Sequence, residues 1–349
     1  MLTVSRELVS GVHSARTGED LHEFVQSALE LEHSIIPPYL TAYYTLRPGR
    51  NDEIAAALRN VVVEEMLHLT IAGNLLLALG GKPRLADPGF VPNYPSVLPM
   101  NIGDLTVGLA PYSRELVHDV FMRIEEPEHP IEFPVQASVH PDVDRFATIG
   151  EFYEALISKL VDLGDGAFIG APELQIVDPG WFPPEQLFRI CDVNSARAAL
   201  TLVVEEGEGT THSPLDKEGE LAHYYRFAEL WHGHRLIPDV SAPAGYSYTG
   251  TPISFDPTGV WAMPANPRLI QYPPGSRSRF VAGQFSLTYT KLLRALHEMF
   301  TGVPENLDAA LGIMFELRLL AQDVLDTPDT DGRPTGLCFE YASAGLGCN

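Results

Sequence analysis

The chain has 349 residues, of which 45% are hydrophobic, so it can bury the core of one large domain or of two average ones. Its 46 acidic residues outnumber 23 lysines and arginines, and the formal charge of −23 disfavours nucleic acids and anionic membranes as partners. The three cysteines lack the spacing of a disulfide framework or a zinc site, and no stretch approaches the roughly 20 apolar residues of a membrane span. We therefore expect a cytoplasmic protein without a nucleic-acid or membrane partner.

The first long helix is predicted over residues 21–44, with Asp20 as its N-cap. Glu32 falls on the apolar face of this helix. It is either a metal ligand or a boundary residue that reaches solvent. Pro37 and Pro38 remove two backbone donors and should kink the helix just after Glu32.

The second long helix, through residues 61–79, carries Glu65 and His68 in an otherwise apolar stripe. Three residues apart on a helix, the two side chains project from one face. A buried carboxylate is costly unless it is paired or binds a cation, and Glu-x-x-His pairs build the dinuclear sites of helical bundles. For this motif alone, a hydrogen-bonded core histidine beside a surface glutamate is the alternative.

The middle of the chain begins with residues 82–111, which are rich in Pro, Gly and Asn and predict an irregular connection. A shorter helix is predicted over residues 113–125. The acidic cluster at 125–130 ends it, and we interpret this cluster as a solvated loop. Residues 148–151 form a capping-box pattern that opens the next helix, in which Glu154 at the edge of the apolar face is the candidate ligand. A surface glutamate is the alternative.

A further helix is predicted from Ala196 to about Gly209, capped by Asp192 or Asn194. Glu205 and Glu208 lie one turn apart on a face that they share with Ala198 and Leu202. The two carboxylates are therefore candidate ligands from this helix.

After a break, the helical pattern resumes over residues 218–230 and contains His223, whose alternative role is that of a core histidine. We expect Glu205 and Glu208 to accompany His223. Glu220 and His223 have the spacing of a second Glu-x-x-His motif, but Glu220 lies in a charged run and is expected in solvent. The ligand beside His223 therefore stays open among these three glutamates.

The C-terminal third contains a loop-rich stretch, residues 238–278, and two amphipathic helices predicted at 285–300 and 307–325. A small hairpin is expected near residues 246–255. We predict one elaborated domain, with a bundle core at about 20–235, additional loops and helices at 236–327, and a tail without assigned structure at 328–349.

The order Glu, Glu-x-x-His, Glu, and Glu with His on four helical segments is the order that a dinuclear carboxylate site requires. Two cations about 3.5–4 Å apart would neutralise the buried carboxylates. Oxygen-rich ligands with one histidine per metal favour iron or manganese over zinc or copper. The predicted ligands are Glu32, Glu65, His68, Glu154, Glu205, Glu208 and His223.

Five motifs carry a family resemblance: residues 29–40 (LELEHSIIPPYL), 64–68 (EEMLH), 149–154 (IGEFYE), 206–209 (EGEG) and 223–227 (HYYRF). Through them the chain, from about residue 20 to 235, resembles the ferritin-like superfamily. It is most similar to the ferritin-like domain of the iminophenyl-pyruvate dimer synthases of violacein- and rebeccamycin-type pathways, which are longer chains. The resemblance implies a mainly α, ferritin-like four-helix bundle with extra C-terminal helices and long Pro/Gly-rich connections. Where that family's fourth helix suggests Gln, this chain has Glu206.

The resemblance implies an enzyme, a dinuclear oxidase or oxygenase of secondary metabolism with two iron or manganese ions per chain. Its partners would be dioxygen or peroxide and a small organic substrate, such as an amino-acid-derived imine. Glu205 would be a further ligand or a partner of one, and the long connections would build a pocket over the metals. A metal-binding or storage protein without turnover is the alternative. A structural protein with a lost site is disfavoured, because hydrophobic residues could replace unused buried polar groups at little cost. The oligomeric state stays open, with a homo-oligomer as one option.

Overall fold

The computed structural model describes residues 4–127, 146–147, 149–209, 213–242, 244–303 and 307–342, and this part of the chain is mainly α-helical. The fourth helix, α4, is continuous but contains a π-helical turn. The helices are α1 (Arg6–Ser14), α2 (His22–Tyr44), α3 (Asp52–Ala78), α4 (Arg114–Leu116, the π turn Val117–Phe121, and Met122–Ile124), α5 (Ile149–Leu163), α6 (Val193–Glu208), α7 (His223–His232), α8 (Arg277–Phe300) and α9 (Leu307–Leu325).

The centre of the fold is a bundle of α2, α3, α5 and α6. The helices α2 and α3 pack along each other, and α6 packs against both α3 and α5. Most residues of α2 and α3 are buried, because each of these helices packs against several other elements. The helices α4 and α7 pack on each other, and α7 also contacts α3. The predicted mainly α four-helix bundle with additional C-terminal helices is thus confirmed.

The two prolines of α2 lie inside the helix, which continues to Tyr44. Because Pro38 has no N–H, the carbonyl of Ser34 loses its helical donor, and the hydroxyl of Tyr94 donates to it instead at 2.7 Å.

The predicted N-cap of α2 is wrong. Asp20 lies within the 3-10 turn Glu19–Leu21, and its carboxylate accepts from two backbone N–H groups of the preceding turn.

The C-terminal helices α8 and α9 pair with each other and lie against the bundle through α3 and α2, respectively. The described part of the expected tail also packs on the protein. Leu337, Cys338 and Phe339 are buried, and Ser286 of α8 donates to the carbonyl of Cys338 at 2.7 Å. Residues 337–342 therefore form part of the fold.

Short antiparallel strand pairs connect the helices within the described residues. The hairpin expected near residues 246–255 instead joins Tyr246–Ser247 to Ile237–Pro238. The other two pairs are Val4–Ser5 with Phe146–Ala147, and Ser96–Leu98 with Ile102–Val107.

The helix α3 is long and apolar enough to span a membrane by length and composition, which the sequence prediction overlooked. In this protein, however, 78% of its most apolar window is buried inside the fold. Central helices of soluble bundles meet the same criteria, because they too are apolar on nearly all sides. The described cysteines, Cys191 and Cys338, are free thiols.

Candidate metal centre

Four of the predicted ligands lie together inside the bundle. Glu32 belongs to α2, Glu65 and His68 lie on one face of α3, and His223 is the first residue of α7. Their exposed fractions are 5%, 1%, 3% and 0%. A fifth residue, Glu125, lies just after α4 and is 8% exposed. Segments that are far apart in the sequence thus bring three carboxylates and two imidazoles into one buried cluster.

The five side chains form two groups of three that share Glu65. In each group the candidate ligand atoms lie within 4.8 Å of one another. His68 Nδ1 is 3.4 Å from Glu65 Oε2 and 3.9 Å from Glu32 Oε2. His223 Nδ1 is 2.9 Å from Glu65 Oε1 and 3.6 Å from Glu125 Oε2. Each oxygen of Glu65 therefore faces one imidazole, and this carboxylate lies between the two groups.

Both imidazoles direct Nδ1 into the cluster and Nε2 towards another carboxylate. His68 Nε2 lies 2.8 Å from the carboxylate of Glu206, which α6 buries. His223 Nε2 lies 2.8 Å from Glu64, which also accepts hydrogen bonds from Arg226. A carboxylate on the far nitrogen favours the tautomer in which Nε2 carries the proton. The lone pair of Nδ1 is then free to face a cation.

A buried tyrosine orients each outer carboxylate. Tyr153 of α5 donates its hydroxyl proton to Glu32 Oε1, and Tyr39 of α2 donates to Glu125 Oε1. The other oxygen of each glutamate faces an imidazole of the cluster. Burial, together with the charge of the partner glutamate, raises the pKa of both tyrosines well above the usual value, so both hydroxyls remain donors.

The pKa values of the cluster reflect crowded charges without a cation between them. Burial and the charge of Glu65 raise the pKa of Glu32 to about 8 and also raise the pKa of Glu125. Burial would raise the pKa of Glu65, but the charges and hydrogen bonds of His223 and His68 have the larger effect and lower this pKa to about 2. Burial would lower the pKa of His68, but Glu206 and Glu65 raise it to about 10. Without metal, protons therefore occupy this cluster at neutral pH.

Glu154, the predicted ligand of the third helix, does not join the cluster. It lies on the exposed side of α5, whose buried face contains Phe152, Tyr153 and Leu156. The sequence pattern placed Glu154 at the edge of this face, but the face ends before reaching it. The helix contributes Tyr153 to the site instead of a carboxylate.

Of the glutamates considered beside His223, the structure corrects Glu205 and Glu220 and does not test Glu208. Glu205 forms an ion pair with Lys217 at 2.9 Å, Glu220 is exposed, and the side chain of Glu208 lies outside the described residues. The glutamate that reaches the cluster is Glu206, and it accompanies His68 rather than His223. A stripe one residue away from the predicted one would have identified it: the buried residues of α6 include Ala196, Ala199, Leu200, Val203 and Glu206.

Glu125 was missed because the acidic cluster that contains it was interpreted as a solvated loop. The structure places it one residue beyond α4, after the π turn Val117–Phe121. A π turn adds a residue to the helix and is frequent at functional sites. The sequence does contain a signal, since Val117 and Phe121 are buried and Glu125 follows at the same spacing of four.

Comparison with known proteins identifies the family of this chain. A family model described as Ferritin-like matches residues 25–232, which include every member of the cluster. The chain belongs to the ferritin-like family. The expected superfamily is thereby confirmed, and the matched segment contains the whole cluster.

Two individual proteins are similar to this ferritin-like chain. Dichlorochromopyrrolate synthase of Lentzea aerocolonigenes is 26% identical over 317 residues, which cover 82% of this chain but 30% of that protein. The chain thus spans less than a third of the length of this relative. The crystal structure of a ferritin-like protein from Caulobacter vibrioides superposes with a TM-score of 0.58 over 92% of this chain and 97% of that one, at 21% identity. This second likeness supports the fold alone.

The ferritin-like family implies a metal, and two buried atoms of the cluster agree with one. Glu65 Oε2 and His223 Nδ1 are buried and form no well-directed hydrogen bond among the described residues, although His223 Nδ1 lies 2.9 Å from Glu65 Oε1. Burying such atoms without a partner is costly, and a cation between the ligands would satisfy both. The residues present therefore fit a metal centre.

A small cavity of about 50 Å³ lies against the cluster. Such a volume holds a few water-sized molecules. Glu32, Glu65, His68, Glu125 and Tyr153 face it on one side. The rest of the described wall is mostly apolar and includes Leu31, Ile35, Ile124, Ile149, Val203 and Val204.

Proposed function

We propose that the chain binds two iron or manganese ions and catalyses the oxidation or oxygenation of a small organic substrate. Glu32, Glu65 and His68 would hold one ion, and Glu65, Glu125 and His223 the other. The observation that carries this proposal is the pair of ligand groups that share Glu65, both buried in a ferritin-like bundle.

Charge balance supports two divalent ions. Five carboxylates meet around the cluster: Glu32, Glu64, Glu65, Glu125 and Glu206. The only arginine or lysine that the described residues pair with these carboxylates is Arg226. With both imidazoles neutral, two divalent cations and Arg226 would supply five positive charges, which equals the number of carboxylates. Carboxylate-rich ligand sets with one imidazole per metal favour iron or manganese.

The side chains around the ions would have distinct tasks. The metals would supply redox chemistry towards dioxygen or peroxide. Glu206 and Glu64 hold the imidazoles in one orientation, and Tyr153 and Tyr39 hold the outer carboxylates. The two tyrosines also place hydroxyl protons beside the ligands, and the apolar wall of the cavity limits the water that reaches them.

The substrate class rests on the sequence resemblance to the iminophenyl-pyruvate dimer synthases. Dichlorochromopyrrolate synthase is by its name a biosynthetic enzyme, and its similarity to this chain covers 82% of the chain. We therefore propose an amino-acid-derived imine as the substrate, dioxygen or peroxide as the oxidant, and the cytoplasm as the location. Iron storage without turnover is the competing role.

Metal analysis tests the proposal. The metal-free chain is titrated anaerobically with ferrous or manganous ions, and bound metal is counted after removal of the excess. We expect saturation at about two ions per chain, and repeated exposure of the ferrous form to air should not raise this number. Accumulation of many iron ions per chain would support storage, and failure to bind either metal would overturn the proposed centre.

A matched pair of variants locates the metals. His68→Ala removes one imidazole of the cluster, whereas His118→Ala removes an exposed imidazole that pairs with Asp119 on the surface. We expect the first variant to lose metal while its circular dichroism spectrum stays helical, and the second to bind two ions. Unchanged metal content in His68→Ala would contradict the site.

A further inference from the structure

A second cavity of about 410 Å³ lies behind α2, away from the metal cluster. Tyr94 lines it and donates its hydroxyl to Ser34, whereas Glu32 lines the small cavity at the metals. The two cavities share no lining residue among those described. The larger one has the volume of a small-molecule site and does not belong to the proposed metal centre.

The walls of this cavity come largely from segments outside the ferritin-like match. Residues 88–94 form one side, residues 267–270 and 339–342 form others, and Ser286 and Arg279 of α8 complete it. Since residues 267–342 lie beyond the matched segment 25–232, the C-terminal additions and the first long connection build this cavity together. Their packing encloses a cavity that is separate from the metal cluster.

The charge inside the cavity is positive, in contrast to the acidic chain. Arg268 is paired with Glu340. Arg279 donates one N–H to the carbonyl of Leu269, and no carboxylate among the described residues lies within ion-pair distance of it. An arginine with further donors and no counter-ion is suited to bind a carboxylate in two-point geometry. One unpaired cation favours a ligand with a single negative charge.

Flat side chains line the same cavity as Arg279. Tyr94, Phe339 and Tyr341 present aromatic rings, and Pro92 and Pro267 add further flat surfaces. Such walls favour a planar ring, because rings gain contact area without losing many rotamers. From the volume, the uncompensated Arg279 and these walls we infer that the cavity binds an aromatic monocarboxylate, with its carboxylate on Arg279.

Calorimetric titration of the metal-loaded 349-residue chain tests this site with two probes. Phenylacetate carries the carboxylate, and phenylacetamide has nearly the same shape without the charge. We expect saturable binding of phenylacetate at one site per chain and at least tenfold weaker binding of the amide. Absence of saturable phenylacetate binding, or equal affinities for the two probes, would overturn the inference.

Variants assign the binding to this cavity. Arg279→Gln should weaken phenylacetate binding at least tenfold, whereas Arg277→Gln on the same helix removes an exposed arginine paired with Asp323 and should leave it unchanged. Arg279→Gln would also change the hydrogen bond that Arg279 donates to the carbonyl of Leu269, so Ile270→Glu provides an independent check. This residue lines the cavity but is 84% exposed, so the fold tolerates the change, while the new charge should repel the carboxylate. Unchanged binding in both Arg279→Gln and Ile270→Glu would contradict the site.

A control separates this cavity from the metals, which could themselves bind a carboxylate. In His68→Ala, the proposed metal centre is disrupted but the larger cavity is intact. We expect phenylacetate to bind this variant as it binds the parent chain. Loss of binding in His68→Ala would place the probe at the metal cluster and overturn the second site, without affecting the proposed function.

Discussion

Glu125 and Glu154 are two glutamates with opposite environments, one buried beside His223 and one exposed on α5. Glu125→Gln should reduce bound metal from two ions to about one per chain, because the second ligand group loses a charged oxygen donor. Glu154→Gln should retain both ions. Elemental analysis after desalting measures the difference, and equal metal loss in the two variants would contradict the assignment.

The adjacent residues Glu205 and Glu206 form a second natural pair. Glu206 accepts from His68, whereas Glu205 pairs with Lys217. Glu206→Ala should weaken metal binding about 10–100-fold, because the imidazole loses the partner that fixes its orientation. Glu206→Gln keeps an acceptor oxygen and should cost less, and Glu205→Ala should bind metal as the parent does. Competition with a metal-binding dye measures the metal affinities. Equal affinities in Glu206→Ala and Glu205→Ala would exclude a role of Glu206 in orienting His68.

At the scale of single residues, the sequence could predict the cluster members that lie on long regular helices. Glu32, Glu65 and His68 follow apolar stripes whose period is undisturbed. Glu125 and Glu206 also continue helical spacings, but periodicity alone does not decide which of several neighbouring stripes is buried. A π turn precedes the first, and the second was lost because a one-residue error in the choice of stripe selects the neighbouring glutamate.

Among the elements, α3 and α9 each contain one glycine in a different setting. A Cβ on Gly73 would lie 2.4 Å from the buried ring of Phe300 in α8, whereas a Cβ on Gly312 would meet nothing within 4 Å. Gly73→Ala should lower the free energy of unfolding by about 1–2 kcal/mol through overpacking. Gly312→Ala should raise it by about 0.5–1 kcal/mol, because alanine favours the helix. Urea titration followed by circular dichroism measures both; the same sign in the two variants would contradict this packing.

The elements themselves were largely predictable from their caps and stripes. Asp192 caps α6 as one of the two expected caps, and α9 has its predicted bounds. The helix α8 ends at Phe300 as predicted but begins at Arg277 instead of Phe285. The described part of the C-terminal tail was not predictable, because residues 337–342 are not regular and owe their order to contacts with α8 and residues 268–272. Contacts between distant segments leave no periodic signal in a single sequence.

For the whole molecule, the pKa values predict how metal binding depends on pH. In the metal-free protein His68, with a pKa of about 10, and Glu32, with a pKa of about 8, both hold a proton at pH 7. A cation must displace these protons, so metal affinity should rise from pH 6 to pH 8 by up to about tenfold per pH unit for each proton released. Calorimetry in buffers of different ionisation enthalpy counts the protons. Affinity that is independent of pH would contradict the prediction.

Metal should also stabilise the whole fold, because the ligands come from α2, α3, α7 and the end of α4. At a free metal concentration about 100 times the dissociation constant, the gain in unfolding free energy is about 2.7 kcal/mol per site. Removing metal with a chelator should therefore lower the midpoint of urea unfolding. The same chelator should have a smaller effect on His68→Ala, because this variant keeps only the ligand group of Glu65, Glu125 and His223. An equal shift in both proteins would indicate an effect unrelated to the centre.

The burial of the cluster has a consequence for how the protein acquires its metal. Residues 32, 65, 125 and 223 come together only after most of the chain has been synthesised and folded, and their side chains are then at most 8% exposed. Exchange of a bound ion would require local opening of the bundle, which is slow compared with exchange at a surface site. Selection between iron and manganese would then be kinetic: the ion that is abundant when the chain folds is trapped. Protein produced in iron-rich and in manganese-rich cells would keep different metals long after purification.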